Sequence, residues 1–123
     1  MTKVIITAAL NGSVPTKEMN PHLPLTPDEI AQTAVLCRQA GASIVHVHAR
    51  DAQGKPTLDA DIFAQIHAAI SAQSDVIVQI STGARAGTDV EERAEAVRRI
   101  RPEMASLTTG SMNFPDQVYA NSF

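Results

Sequence analysis

The chain has one cysteine, Cys37, among 123 residues, so no disulfide can form within it. That excludes a disulfide-stapled extracellular scaffold and points to a reducing, cytoplasmic compartment. No apolar run approaches the roughly 20 residues that a membrane-spanning helix needs. The apolar start, Met1 to Ala9, is too short for a signal peptide and has no small-residue cleavage site. Nor is positive charge in excess. A net charge of −3 gives no general attraction to nucleic acid or to an anionic membrane. Aromatic residues are only 3% of the chain, and none are interleaved with basic clusters. A P-loop and a dinucleotide fingerprint are absent as well. What is present, 44% hydrophobic and 19% charged residues, is the composition of one soluble globular domain.

Hydrophobic patterning predicts alternating strands and helices. Val4 to Ala9 is a β-branched first strand, followed by a long loop from Asn11 to Leu25 with Gly12, Pro15, Pro21 and Pro24. Loops of that length in compact domains tend to be functional. Thr26-Pro27-Asp28-Glu29 predicts a helix start with a capping box, and Gly41 its end, with Ile30, Ala34 and Cys37 on one face. Ser43 to Ala49 is a second strand and Arg50 to Thr57 a turn. Asp59 to about Ala72 is a second helix with Ile62, Ile66 and Ala69 or Ile70 inward. Asp75 to Ile80 is a continuous apolar strand of the kind buried on both faces. Ser81 to Gly87 is a polar loop. Thr88-Asp89-Val90-Glu91 opens a third helix with a second capping box, ending near Arg99 to Pro102. Met104 to Thr108 is a fourth strand, and Thr109 to Phe123 is irregular.

The order β-α-β-α-β-α-β predicts parallel strands joined by right-handed crossovers. Such strands fit an open doubly wound sheet or part of a (βα)8 TIM barrel. Polar residues gather at the carboxyl end of every strand: Asn11-Gly12-Ser13, His46 to Asp51, Ser81-Thr82-Gly83 and Ser106 to Gly110. In a barrel those ends converge on one mouth, whereas in an open sheet only neighbours at a switch point do. The expectation is therefore an α/β chain forming the N-terminal half of a TIM barrel, residues 1–123 being an incomplete barrel domain of four strands.

His46 and His48 carry the sharpest chemical signal. Strand side chains alternate, so both imidazoles face one side while Val45 and Val47 pack outward. An H-x-H strand can supply two of the three protein ligands common in catalytic zinc sites. It can equally be a pair of satisfied polar residues near a barrel mouth. His22, in the proline-rich loop, and His67, within a helix, read as structural or solvated. Asp51 could orient an imidazole by a hydrogen bond or be a solvated turn residue. Ser81, Thr82 and Gly83 offer hydroxyls and N–H groups to an anionic group. Ser106 and Thr108 share one face of the fourth strand. Cys37 reads as a buried structural thiol.

Together these segments resemble a family. Thr7-Ala8-Ala9-Leu10-Asn11-Gly12, Thr16-Lys17-Glu18-Met19-Asn20-Pro21, Ala40 to His48, Gln79-Ile80-Ser81-Thr82-Gly83 and Pro102 to Leu107 resemble the β-keto acid cleavage enzymes, typified by the 3-keto-5-aminohexanoate cleavage enzyme. The resemblance runs from Lys3 to Asn121, in order and spacing. It implies a zinc-dependent, usually oligomeric (βα)8 barrel about twice this length. Such an enzyme converts a β-keto acid and acetyl-CoA into acetoacetate and a new acyl-CoA. It implies His46 and His48 as two zinc ligands, with a glutamate ligand, a catalytic aspartate and an arginine beyond Phe123. Ser81 matches a substrate-contacting serine. Ser106 replaces a threonine and Ala84 a substrate-contacting glycine, so Ser81, Gly83, Ala84, Ser106 and Thr108 form the expected substrate site. Val14 stands where the aminohexanoate enzyme pairs the substrate ammonium with a glutamate, which implies a substrate without that amino group.

The expected partners are a small β-keto acid, acetyl-CoA and further copies of the same chain, with no nucleic acid or membrane. A fourth helix is expected to begin at Ala120 to Phe123. A half-barrel has two unpaired sheet edges, so a truncated product, a split gene or an incomplete record is expected, inactive by itself. Two alternatives stay open: an amidohydrolase-type metal hydrolase, which also places H-x-H on a barrel strand, and a non-catalytic α/β module binding a metal or partner.

Overall fold

Each helix begins where a side chain can satisfy its first backbone N–H groups. In the computed structural model, which describes residues 2–84, 88–115 and 117–121, helix α1 spans Pro27–Gln39. Thr26 Oγ1 accepts from Glu29 N–H, and the Glu29 carboxylate accepts from Thr26 N–H, the expected capping box. Helix α2 (Ala60–Ser71) is capped by Asp59. Helix α3 (Val90–Ile100) is capped by Asp89, whose carboxylate accepts from Glu92 N–H at 2.8 Å. The cap is thus Asp89, one residue later than Thr88.

Strands β1 (Thr7–Ala9), β2 (Ile44–Val47), β5 (Ile77–Ile80) and β6 (Met104–Ala105) form one parallel sheet in that order. Two antiparallel hairpins stand apart from it: β3 (Ala49–Arg50) with β4 (Pro56–Thr57), and β7 (Met112–Phe114) with β8 (Gln117–Tyr119). The sheet strands follow one another in chain order without reversal. A doubly wound sheet turns back at a switch point, whereas a (βα)8 barrel adds each strand beside the last. The chain therefore has the fold of four successive barrel strands with three intervening helices.

Alternation decides which side chains see the helices. Val45 and Val47 of β2, with Val78 and Ile80 of β5, are buried against α1 and α2 together with Ile30, Phe63, Ile66 and Ile70. Their neighbours His46 and Gln79 pair in register and face the other side. The helices fold onto one side of the sheet and leave the polar residues on the barrel's inner side.

Four expectations need correction. The first strand enters the sheet only at Thr7, because Val4, Ile5 and Ile6 lie on an edge and are exposed. The Ile6 carbonyl still accepts from Ser43 and Ile44 N–H. The fourth strand is Met104–Ala105 rather than Met104–Thr108; beyond Ser106, whose N–H reaches the Ile80 carbonyl, the chain leaves the ladder. The turn at Arg50 to Thr57 contains the β3–β4 hairpin, and the irregular segment after Thr109 contains β7–β8. Residues 85–87 of the expected polar loop, and Ser122 and Phe123 of the expected fourth-helix start, lie outside the described residues.

Candidate active site

His46 leaves the inner face of β2, and its Nδ1 lies 2.8 Å from Gln79 Oε1 on β5. A carboxamide oxygen can only accept, so Nδ1 is the donor, and the tautomer this bond selects is the one whose lone pair lies on Nε2. That Nε2 lies 3.2 Å from His48 Nε2, with the rings edge to face. Burial, then the nearby His46 and Arg50, lowers the His48 pKa to about 4. Its imidazole is therefore neutral at physiological pH, the state that binds metals.

The backbone beneath His48 is held by one side chain. Asn11, almost fully buried, accepts from His48 N–H at 3.0 Å and donates to the His48 carbonyl at 2.9 Å. It completes the ladder where β1 has ended. Arg50 is buried too, and no carboxylate meets it among the described residues. Its guanidinium donates to the carbonyls of Gly12, Pro15 and Gly54 at 2.8–3.2 Å. Those bonds shape the loop carrying Ser13 and Val14. Burial without an anionic partner lowers the Arg50 pKa.

A cavity of about 330 Å³ opens beside the two imidazoles. Its walls include Val14, Ser81, Gly83, Ala84, Ser106 and Thr108, so these residues meet His46 and His48 in one place, whereas Thr82 is not in the lining. Ser13, Val118 and Tyr119 also line it. Ser81 Oγ accepts from Gly83 N–H at 3.2 Å. Thr82 is tied to Ser106 twice: its N–H donates to Ser106 Oγ at 3.0 Å, and its hydroxyl to the Ser106 carbonyl at 2.7 Å.

Other candidates lie elsewhere. His22 is exposed, and His67 sits in α2 away from the cavity lining. Asp51 accepts from Gln53 and Lys55 N–H at 2.9 and 2.8 Å, so it closes a turn rather than orienting an imidazole. Gln79 takes that orienting place. The pattern could have found it, because a polar residue interrupts an apolar strand beside His46. Cys37 is half-buried on α1, against the core.

The imidazole pair suits a zinc ion. Two nitrogens bound at about 2.0–2.1 Å to a tetrahedral centre lie about 3.3–3.4 Å apart, and the observed 3.2 Å is close to that. No group of three or more His, Cys, Asp or Glu side chains forms a metal site among the described residues.

Residues 3–123 match the family described as beta-keto acid cleavage enzyme. The chain belongs to this family. Relatives within reach of it include the 3-keto-5-aminohexanoate cleavage enzyme of Acetoanaerobium sticklandii, 44% identical over 99% of this chain and 45% of the relative. The 3,5-dioxohexanoate:acetyl-CoA acetone transferase of Paraburkholderia graminis is 42% identical over 91% of this chain and 36% of its own length. The chain thus spans about a third to a half of the curated β-keto acid cleavage relatives it matches. Among solved structures, apo ObcA superposes with a TM-score of 0.74 at 23% identity, over 83% of this chain and 26% of that one, a likeness of fold. Family membership sets aside the amidohydrolase alternative.

Proposed function

We propose that this chain contributes the first half of a zinc-dependent β-keto acid cleavage site. The reaction would join R–CO–CH2–COO⁻ and acetyl-CoA to give acetoacetate and R–CO–CoA. The observation that carries the reading is the pair of imidazoles, 3.2 Å apart, opening on the same cavity as Ser81, Ser106 and Thr108. The relatives' names support the substrate class: a 3-oxoadipate:acetyl-CoA acetyltransferase of Cupriavidus necator is 40% identical over 95% of this chain.

His46 and His48 would hold the metal, with Gln79 fixing the His46 tautomer and Asn11 the His48 backbone. Zinc bound there would supply Lewis-acid polarisation of the substrate keto oxygen. Ser81 and the N–H groups around Gly83 would receive the substrate carboxylate. Ser106 and Thr108 would line the same cavity just after β6, one strand beyond β5. Val14, aliphatic and at the cavity, cannot neutralise an ammonium group, so we assign a substrate without an amino group at that end.

The third ligand, the catalytic aspartate and the arginine that the resemblance implies would lie beyond position 123. On this reading residues 1–123 form an incomplete barrel domain of a cytoplasmic homo-oligomeric enzyme. By themselves they bind zinc weakly and do not turn over. One experiment tests this: competition for zinc against a chromophoric chelator, with acyl exchange between acetyl-CoA and a β-keto acid followed in parallel. The unaltered chain is expected to hold zinc more tightly than His46→Ala or His48→Ala, without acyl exchange. Equal zinc retention by all three chains removes the metal assignment, and acyl exchange by the unaltered chain removes the claim of an incomplete site.

A further inference from the structure

The hairpin β7–β8 folds back over the cavity and delivers Tyr119 to the turn after β5. Its hydroxyl oxygen accepts from Ala84 N–H at 3.1 Å and from Arg93 Nη2 at 3.3 Å. Both donors are unambiguous, so the phenol oxygen is an acceptor in both bonds and its O–H takes part in neither. No acceptor takes that proton among the described residues, and Tyr119 lines the cavity. Ser81, one turn away, is built in the same manner. Its Oγ accepts from Gly83 N–H, and its proton is likewise unassigned.

The two hydroxyls flank one point. A Cβ built on Gly83 would lie 3.0 Å from Tyr119 Oη and 3.3 Å from Ser81 Oγ. Gly83 is therefore a glycine because of close approach, its φ lying outside the left-handed region. Arg93 clamps the arrangement from α3. It donates to the Thr82 carbonyl at 2.8 Å and to Asn121 Oδ1 at 2.7 Å, and its guanidinium lies 5.7 Å from the Tyr119 ring centroid. A positive charge is thereby fixed one hydroxyl away from the cavity.

We infer that Tyr119 is a substrate-contacting residue, pairing with Ser81 so that each hydroxyl donates to one oxygen of the substrate carboxylate, with Arg93 as the positioning residue behind it. The inference rests on the cleavage reading of the cavity and deepens it by naming the carboxylate clamp. A carboxylate accepts two O–H donors well, and a neutral ester in its place offers weaker acceptors.

The test is calorimetric titration of the unaltered protein, Tyr119→Phe and Arg93→Met with acetoacetate and with its methyl ester. Hydrogen bonds to a charged group are worth about 10- to 100-fold in affinity. Tyr119→Phe is therefore expected to weaken acetoacetate binding by about that factor while changing methyl ester binding by less than about threefold. Arg93→Met is expected to shift the acid-to-ester ratio in the same direction. Unchanged acetoacetate affinity in Tyr119→Phe overturns the clamp and leaves the cleavage reading standing. Equal losses for acid and ester assign Tyr119 a merely structural place and also overturn it. Failure of the unaltered protein to bind acetoacetate overturns the clamp alone, because the cleavage reading already assigns part of the site to residues outside this segment and is tested separately by zinc retention.

Discussion

Arg50 shows how one residue couples distant pieces of the site. It ends β3, and its three carbonyl partners come from the loop before α1 and from the β3–β4 turn. Methionine at this position keeps the aliphatic volume and removes every donor. Each half-buried carbonyl that loses its donor costs about 0.5–1.5 kcal/mol. Arg50→Met is thus expected to lower unfolding free energy by about 2–4 kcal/mol in urea denaturation. A loss below about 0.5 kcal/mol would mean that the loop holds its shape without the guanidinium. Gln79 and Asn11 belong to the same class of residue. Each satisfies a group whose position in the chain is 33 or 37 residues away.

At the scale of elements, the helix starts explain where the connecting loops stop. Glu29 does more than complete its capping box: Lys17 in the long loop pairs with it, and Leu25 and Thr26 donate backbone N–H bonds to it. The Lys17 hydrogen bond is the largest cause, followed by the two backbone bonds, and together they lower the Glu29 pKa to about 2 from 4.5. A carboxyl whose folded pKa is depressed stabilises the fold above its unfolded value. That contribution is lost as pH falls from 4.5 toward 2, because the unfolded chain takes up the proton first. The unfolding midpoint is expected to fall across this window, and more shallowly in Glu29→Gln. Identical slopes for the two proteins would show that the carboxylate charge plays no part in anchoring the loop to α1. The first two helices also show where periodicity served well. Ile30 and Ala34, and Ile66 and Ile70, are buried at their expected positions.

For the whole molecule, the sheet itself sets the behaviour. Among the described residues β1 pairs only with β2, and β6 only with β5. Val4, Ile5 and Ile6 before β1 and Leu107 after β6 are exposed at these edges. Free strand edges beside apolar side chains are templates for further pairing. The 123-residue chain is therefore expected to self-associate with rising concentration in sedimentation velocity. A single monomeric boundary at high concentration would show that the edges are protected in some other manner.

The alternation of the four sheet strands with three helices and the two flanking faces of β2 were determined by the sequence itself, and so was the choice of His46, His48, Val14, Ser81, Gly83, Ala84, Ser106 and Thr108, which line one cavity. Each rests on a local rule: a period of two in strands, a capping side chain within three residues, polar residues at strand ends. The resemblance in five segments added the chemistry. Only the tertiary structure decided the rest. The sequential strand order distinguishes a barrel from an open sheet, and no local pattern encodes which strand lies beside which. Gln79 rather than Asp51 orients His46, because register between strands places a carboxamide closer than chain proximity does. Tyr119 reached the cavity through a hairpin in a segment without periodicity, held by Arg93 26 residues earlier. Contacts over such separations depend on how the elements pack, since the free energy that selects them comes from partners that the sequence keeps apart.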